Sequence, residues 1–156
     1  MTDTTRQTTT LTPHISCRKA AEAVEFYQKA FGAELTSVLN TPDGRVMHAA
    51  LKFGSSTLYL VDEFPEHGGQ SPQSLGGSPV TLHLHVADCD AVFAHAVESG
   101  CTAAMPPADM FWGDRWGMLT DPYGHQWSVA TTIREMSPEE MRKAMEEAPG
   151  CGEQIK

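Results

Sequence analysis

The order of strand-like and helix-like stretches predicts an α+β protein built from one strand–helix–three-strand unit used twice, with a further helix after the second copy. Three observations carry this. The same five elements occur in the same order over residues 11–62 and 80–131. Ala23-Val24 and Ala91-Val92, like Gly32 and Gly100, stand 68 positions apart. Gly54 and Gly124, each ahead of the last strand of its copy, stand 70 apart.

In the first copy, Leu11 to Cys17 reads as a strand. Lys19 to Phe31 reads as a helix, with Ala20, Ala23, Tyr27 and Ala30 at helical spacing and Gly32 as its stop. Strand-like runs follow at Glu34 to Leu39, Val46 to Phe53 and Ser56 to Val61, with an Asp43-Gly44 turn between the first two. In the second copy, Val80 to Val86 is a strand, and Asp88 caps a helix running to Ser99 that Gly100 stops. Strands follow near Cys101 to Met105, Trp116 to Leu119 and Gln126 to Thr131.

Residues 63–79, rich in Gly, Pro, Ser and Gln, read as a linker or mobile loop. Pro138 to about Glu147 reads as a helix. Ser137 is its N-cap, Glu140 three residues on completes a capping box, and Pro138 takes the first helical position. Met141, Ala144 and Met145 give it an apolar stripe suited to docking. The expected layout is a tail over 1–10, one domain over 11–131 with its linker at 63–79, and a helix and tail over 132–156.

The chain has 156 residues, near the usual size of one domain, and 40% of them are hydrophobic and 20% charged. With 11 basic and 20 acidic residues the net charge is −9, which argues against nucleic acid and against an anionic membrane as partners. No apolar run approaches the roughly 18 residues a membrane-spanning helix needs. The polar, Thr-rich start lacks the apolar stretch of a secretory signal. Cys17, Cys89, Cys101 and Cys151 form no CxxC pair and no zinc-like spacing, so four reduced thiols in a cytoplasmic protein are expected.

Ala23-Val-Glu-Phe-Tyr-Gln-Lys-Ala-Phe-Gly-Ala33, Asp43-Gly-Arg-Val-Met-His-Ala49, Gly76-Gly-Ser78, Phe111-Trp-Gly-Asp-Arg115 and Asp121-Pro-Tyr-Gly-His-Gln-Trp127 complete the picture. With these segments on the repeated unit, the chain resembles the vicinal oxygen chelate superfamily, the glyoxalase, bleomycin-resistance and dioxygenase group, and its PhnB-like branch most closely. The resemblance spans nearly the whole chain, from about Leu11 to the terminal helix. It implies two βαβββ modules forming a curved mixed sheet around a small-molecule cavity, usually within a homodimer. It implies no single reaction, because this fold hosts isomerases, epimerases, dioxygenases, resistance proteins and plain binders.

Alternation along the strands sorts residues by face. Leu82, Leu84 and Val86 are expected to pack against helices, leaving Thr81, His83 and His85 on the cavity side. Leu11, Ile15 and Cys17 pack, leaving Thr12, His14 and Ser16. Met47, Ala49, Leu51 and Phe53 pack, leaving His48, Ala50 and Lys52, the last reaching solvent. Trp127 and Val129 pack, leaving Gln126 and Ser128, and Tyr59 points inward. His14, His48, His83 and His85 are thereby expected to line one cavity that charges as pH falls through the histidine range. His125 reads as structural, and His67 and His95 take no role.

The resemblance places the family's metal ligands at Thr12, Thr81 and Ser128, with a fourth strand position near Thr57 or Tyr59. None of these is a usual ligand for a divalent ion, so no cofactor is expected there. The alternative is a displaced zinc, iron, manganese or nickel site. His83 and His85, about 7 Å apart along one strand face, would be joined by His14 or His48. Otherwise these imidazoles hydrogen-bond one another, Tyr59, Ser128 or a ligand.

Arg115 offers forked donors for an anionic ligand group, with Trp112 or Trp116 stacking on its apolar part. The competing expectation is a local Asp114–Arg115 ion pair with the tryptophans closing the core. No GxSxG elbow, phosphate loop or dinucleotide fingerprint occurs, and Cys17 falls on the packed face. The sequence therefore points first to a protein that binds a small molecule through His14, His48, Tyr59, His83, His85, Trp112, Arg115 and Ser128. The alternatives are a metal-dependent lyase, isomerase or dioxygenase, and an interaction protein with a filled interior.

Overall fold

A computed structural model describes residues 8–149. In chain order these form β1 (His14–Cys17), α1 (Ala20–Phe31), β2 (Glu34–Asn40), β3 (Val46–Phe53), β4 (Ser56–Asp62), a 3-10 turn at Pro65–His67 and α2 (Pro72–Leu75). The second copy follows as β5 (Thr81–His85), α3 (Cys89–Ser99), β6 (Thr102–Asp109), β7 (Asp114–Thr120) and β8 (Gln126–Thr132), and then α4 (Pro138–Glu147). The fold is α+β, with two four-stranded mixed sheets in the orders β1-β4-β3-β2 and β5-β8-β7-β6. In each sheet the first strand runs parallel to the last, and the remaining pairs are antiparallel. Two compact units meet in sequence between Ser71 and Pro72. Cys151 and the outer parts of both expected tails lie outside the described residues.

Strand register sharpens the repeat. His14 sits opposite Tyr59, and His83 opposite Ser128, each 69 positions from its counterpart. The buried positions of α1 (Ala20, Val24, Tyr27) recur at the same interval in α3 as Cys89, Phe93 and Ala96. The interval of 68 read from Ala23-Val24 therefore shifts by one within the helix. It returns to 68 at Gly32 and Gly100 because α1 has 12 residues and α3 has 11. Each helix also starts on a side chain from its own last strand. Asp62 accepts from the Ala20 N–H at 2.8 Å, and Thr131 accepts from the Cys89 N–H at 2.8 Å. This latch stands in for an N-cap on α1, where Lys19 is left-handed at φ 57° and caps nothing with its side chain. Asp62 also accepts from the Val46 N–H at 2.7 Å, and Thr131 donates to the Val86 carbonyl at 2.9 Å.

Alternation of faces holds for most strands and fails where the ladder is irregular. Ile15, Cys17, Ala49, Leu51, Leu58 and Leu60 are buried on the α1 side of the first sheet, and Leu119, Trp127 and Val129 are buried on the α3 side of the second. Met47 was expected to pack but is 47% exposed, while Val46 is buried. The β2–β3 register skips Met47 between its neighbours Val46 and His48, so this residue is the extra one of a bulge and the parity inverts before it. Leu11 precedes β1 and is 96% exposed, a second correction to the expected packed face. Matching bulges at Thr36 in β2 and Ala104 in β6 lie four residues after the two stop glycines.

Three further segments are defined by the structure. β6 continues through Pro106 and Pro107 to Asp109, beyond the expected end at Met105, as an outer strand can. Part of the 63–79 segment is folded, because Glu63 accepts from both the backbone N–H and the hydroxyl of Ser71, which is fully buried. The capping box of α4 is present, with Ser137 accepting from the Glu140 N–H at 3.2 Å and Glu140 accepting from the Ser137 N–H at 2.7 Å. Its stripe stays open, with Met141 and Met145 exposed and no residue of the helix buried.

Two features of the second unit fix its interior. Gly117 lies on β7 beneath α3, where an added Cβ would stand 2.9 Å from the Phe93 ring and 3.1 Å from the Met105 carbonyl oxygen. Its counterpart in the first unit, across from Leu60 as Gly117 is across from Val129, is Ala49. In the turn before β8, one carboxylate oxygen of buried Asp121 accepts from the backbone N–H groups of Tyr123 (2.8 Å) and His125 (3.0 Å). The other accepts from the indole N–H of Trp127 at 2.8 Å. His125 is buried in this turn.

Candidate functional site

In the first unit three candidate side chains come together on the sheet face turned away from α1. β1, β4 and β3 place His14, Tyr59 and Ala50 side by side, and the small Ala50 leaves space over which His48, two residues earlier on β3, can lean. The His48 and Tyr59 rings meet edge to face with centroids 4.7 Å apart. His14 lies 6.1 Å from Tyr59 and 6.3 Å from His48, again edge-on. His14 is exposed and the other two are half-buried, so this aromatic cluster is accessible. Lys52, on the same strand, is exposed as expected.

In the second unit the corresponding face carries a different set. His83 Nδ1 lies 2.7 Å from the hydroxyl of buried Ser128. His85 Nε2 lies 2.9 Å from the hydroxyl of Thr132, a partner that sequence reasoning missed, although Thr132 follows Ser128 at even spacing and so shares its face. Across the sheet, Ser128 is opposite Met118 and Ala130 is opposite Trp116. Trp116 packs edge-on against Trp112 with centroids 5.9 Å apart, and Trp112 meets Phe111 at 5.0 Å. The face therefore combines two held imidazoles with a thioether and an indole.

Arg115 has the opposite parity from Trp116 and turns toward α3. It donates to Asp90 at 2.7 Å and to Asp109 at 3.0 Å, so the expected local pair with Asp114 gives way to two other carboxylates. Hydrogen bonds to Asp90 first, and then Asp109, raise its pKa above the ordinary guanidinium value. The same contact holds the exposed Asp90 carboxyl below its ordinary value.

Cys17, Cys89 and Cys101 are buried and in no disulfide. Burial raises Cys89, and pushes Cys101 up to about 12, so neither is a ready thiolate nucleophile.

Register also settles which first-unit residue corresponds to Ser128: Tyr59, and not Thr57. The positions that the family resemblance marks for metal thus carry the hydroxyls of Thr12, Tyr59, Thr81 and Ser128. Ser128 is already engaged by His83, and the Thr81 hydroxyl lies 3.5 Å from Gln126 Oε1. Four neutral hydroxyls supply no charge and no imidazole, a donor set that does not fit a resident divalent ion. Among the described residues no three His, Cys, Asp or Glu side chains group as a metal site. Nor is any described helix long and apolar enough to cross a membrane.

Comparisons with known proteins agree with this architecture. The sequence model of the Glyoxalase/Bleomycin resistance protein/Dioxygenase superfamily matches residues 9–129. An uncharacterized protein of Mycobacterium tuberculosis, Rv0887c, is 44% identical over 138 residues, covering 86% of this chain and 81% of that one. The crystal structure of the Arabidopsis thaliana At5g48480 product superposes with a TM-score of 0.62 at 28% identity, covering 80% of this chain and 98% of that chain. The PhnB protein of Bacillus cereus shares the fold, with a TM-score of 0.63 at 21% identity over 80% of this chain and all of that one (100%).

Proposed function

Because the chain belongs to the Glyoxalase/Bleomycin resistance protein/Dioxygenase superfamily, we propose that it is a small-molecule-binding protein that works without metal at the family's usual strand positions. The observation that carries this is the chemistry of the sheet faces turned from the helices. Where metal-binding relatives need carboxylate or imidazole, this chain has hydroxyls. Around them it sets rings and hydrogen-bonding groups: His14, His48 and Tyr59 in the first unit, and His83, His85, Ser128 and Trp116 with Trp112 in the second. Rings flanked by a few fixed polar groups are what orient a planar organic ligand. Arg115, already tied to two carboxylates, contributes by holding α3 to β7 rather than by touching a ligand.

The protein is further read as a homodimer in the cytoplasm. Outer strand β2 with exposed Val38 and Leu39 supports the first point, and three buried cysteines outside any disulfide support the second.

The test is a 1H–15N NMR titration of untagged protein with 2-naphthoate and with indole, alongside its metal content and its mass in solution. Saturable shifts in β3 and β4 or in β7 and β8, weakened at least fivefold by the His48→Ala, Trp116→Ala double variant, are expected. So are less than a tenth of a metal ion per chain and twice the chain mass. About one zinc, iron, manganese or nickel per chain would overturn the metal-free reading in favour of a displaced histidine site and an enzyme. A monomer at micromolar concentration would remove the dimer.

A further inference from the structure

We propose that His83 is a fixed hydrogen-bond donor that recognises an acceptor oxygen, a carboxylate or carbonyl, on a planar ligand lying over Met118 and Trp116. The inference rests on the ligand-binding reading above and names the ligand chemistry the second unit selects.

The argument starts at Ser128. Its side chain is buried, and among the described residues the one hydrogen-bond partner of its hydroxyl is His83 Nδ1 at 2.7 Å. A hydroxyl has one proton to give and lone pairs to receive, and a buried donor left without an acceptor costs more than an under-used acceptor. With a single partner, the Ser128 proton goes to Nδ1. A neutral imidazole that accepts at Nδ1 carries its own proton at Nε2. His83 is itself exposed, so that Nε2–H is the nitrogen left to face a ligand. Ser128 is therefore a positioning residue, setting both the tautomer and the tilt of the ring.

The surroundings say what the donor would meet. Met118 sits across from Ser128 on the neighbouring strand, about 4.8 Å away in backbone spacing, and Trp116 follows two residues earlier on the same face. The donor thus stands at the margin of an apolar floor that suits a flat ring. His85 is held through Nε2 by exposed Thr132, a hydroxyl with access to water, so no such tautomer constraint acts on it. The arrangement has a counterpart 69 residues earlier, where His14 stands across from the hydroxyl-bearing Tyr59. There the two rings meet edge-on with centroids 6.1 Å apart, so the tight imidazole–hydroxyl bond belongs to the second unit.

Two measurements on the full chain test this. The first is the 15N NMR signature of His83 in ligand-free protein at a pH where it is neutral. The expected result is the Nε2–H tautomer in the native protein and in Ser128→Thr, and a mixture of tautomers in Ser128→Ala. The Nδ1–H tautomer in the native protein overturns the proposal. The second is NMR titration with 2-naphthoate, which carries acceptor oxygens, and with indole, which carries only an N–H. His83→Ala is expected to weaken 2-naphthoate at least tenfold and indole less than twofold. Equal effects on the two probes, or none, overturn the recognition of an acceptor oxygen even if the tautomer is Nε2–H. Binding of neither probe overturns the ligand-binding reading itself, and the acceptor-oxygen proposal with it, whatever tautomer His83 adopts.

Discussion

Asp121→Ala is expected to lower the stability of the chain by about 3 kcal/mol, read as a fall in the urea midpoint followed by Trp emission. The carboxylate closes the turn before β8 through two backbone N–H groups and receives the indole N–H of Trp127, which is 2% exposed. Truncation removes the carboxylate that this interior indole N–H donates to, the costly half of a broken hydrogen bond. Asp121→Asn keeps an oxygen for one side of the contact and should cost about half as much. If Asp121→Ala unfolds within about 0.5 kcal/mol of the native protein, the turn carries none of the stability assigned to it.

Gly117→Val is the second large effect expected, about 3 kcal/mol of destabilisation by overpacking. The first added carbon already falls 2.9 Å from the Phe93 ring, well inside contact distance, and the backbone carbonyl of Met105 blocks retreat at 3.1 Å. Either α3 lifts from the sheet or β6 and β7 separate. The first unit supplies the control, because Ala49 occupies the matching place with its methyl group fully buried. Ala49→Gly should cost only about 1 kcal/mol, so the two units tolerate opposite changes at one position. A thermal melt of Gly117→Val within two degrees of the native protein would contradict the close approach of α3.

Much of this was legible in the residues, and the failures share a cause. Element order followed from periodicity, from the stop residues Gly32 and Gly100 and from the N-cap Ser137, all local signals. Facing residues followed from period-two alternation, which put His14, Tyr59, His83 and Ser128 on the faces turned from the helices, while their pairing came from the strand register. Met47 escaped because a bulge is a pairing event between strands and leaves no local mark in the sequence. Arg115 was offered to a ligand because its neighbours Trp112 and Trp116 suggested a site. Strict alternation from Trp116 would have turned it toward α3, where Asp90 waits. The Asp62 and Thr131 latches were invisible for a related reason: each joins elements about 42 residues apart. Aligning the units at an interval of 69 would have placed both at helix starts. Composition marked 63–79 as the stretch between the copies, where the two units do meet in sequence, but gave no sign of the hydrogen bonds by which Glu63 holds buried Ser71.

The two consecutive prolines in β6 have a consequence for how the chain behaves in a crowded cell. Duplication gave both sheets an outer strand of the same kind, β2 and β6, each with a bulge four residues after its stop glycine. An outer strand is a template onto which a stray extended segment can zip, and tandem copies would double that hazard. Pro106 and Pro107 are adjacent, so one missing N–H falls on each side of the strand. The second template is thereby interrupted at its middle, while β2 has no such break. Of these two strands, β2 alone keeps an unbroken row of backbone N–H groups, so a dimer formed at its exposed Val38 and Leu39 would also shield it from templated growth.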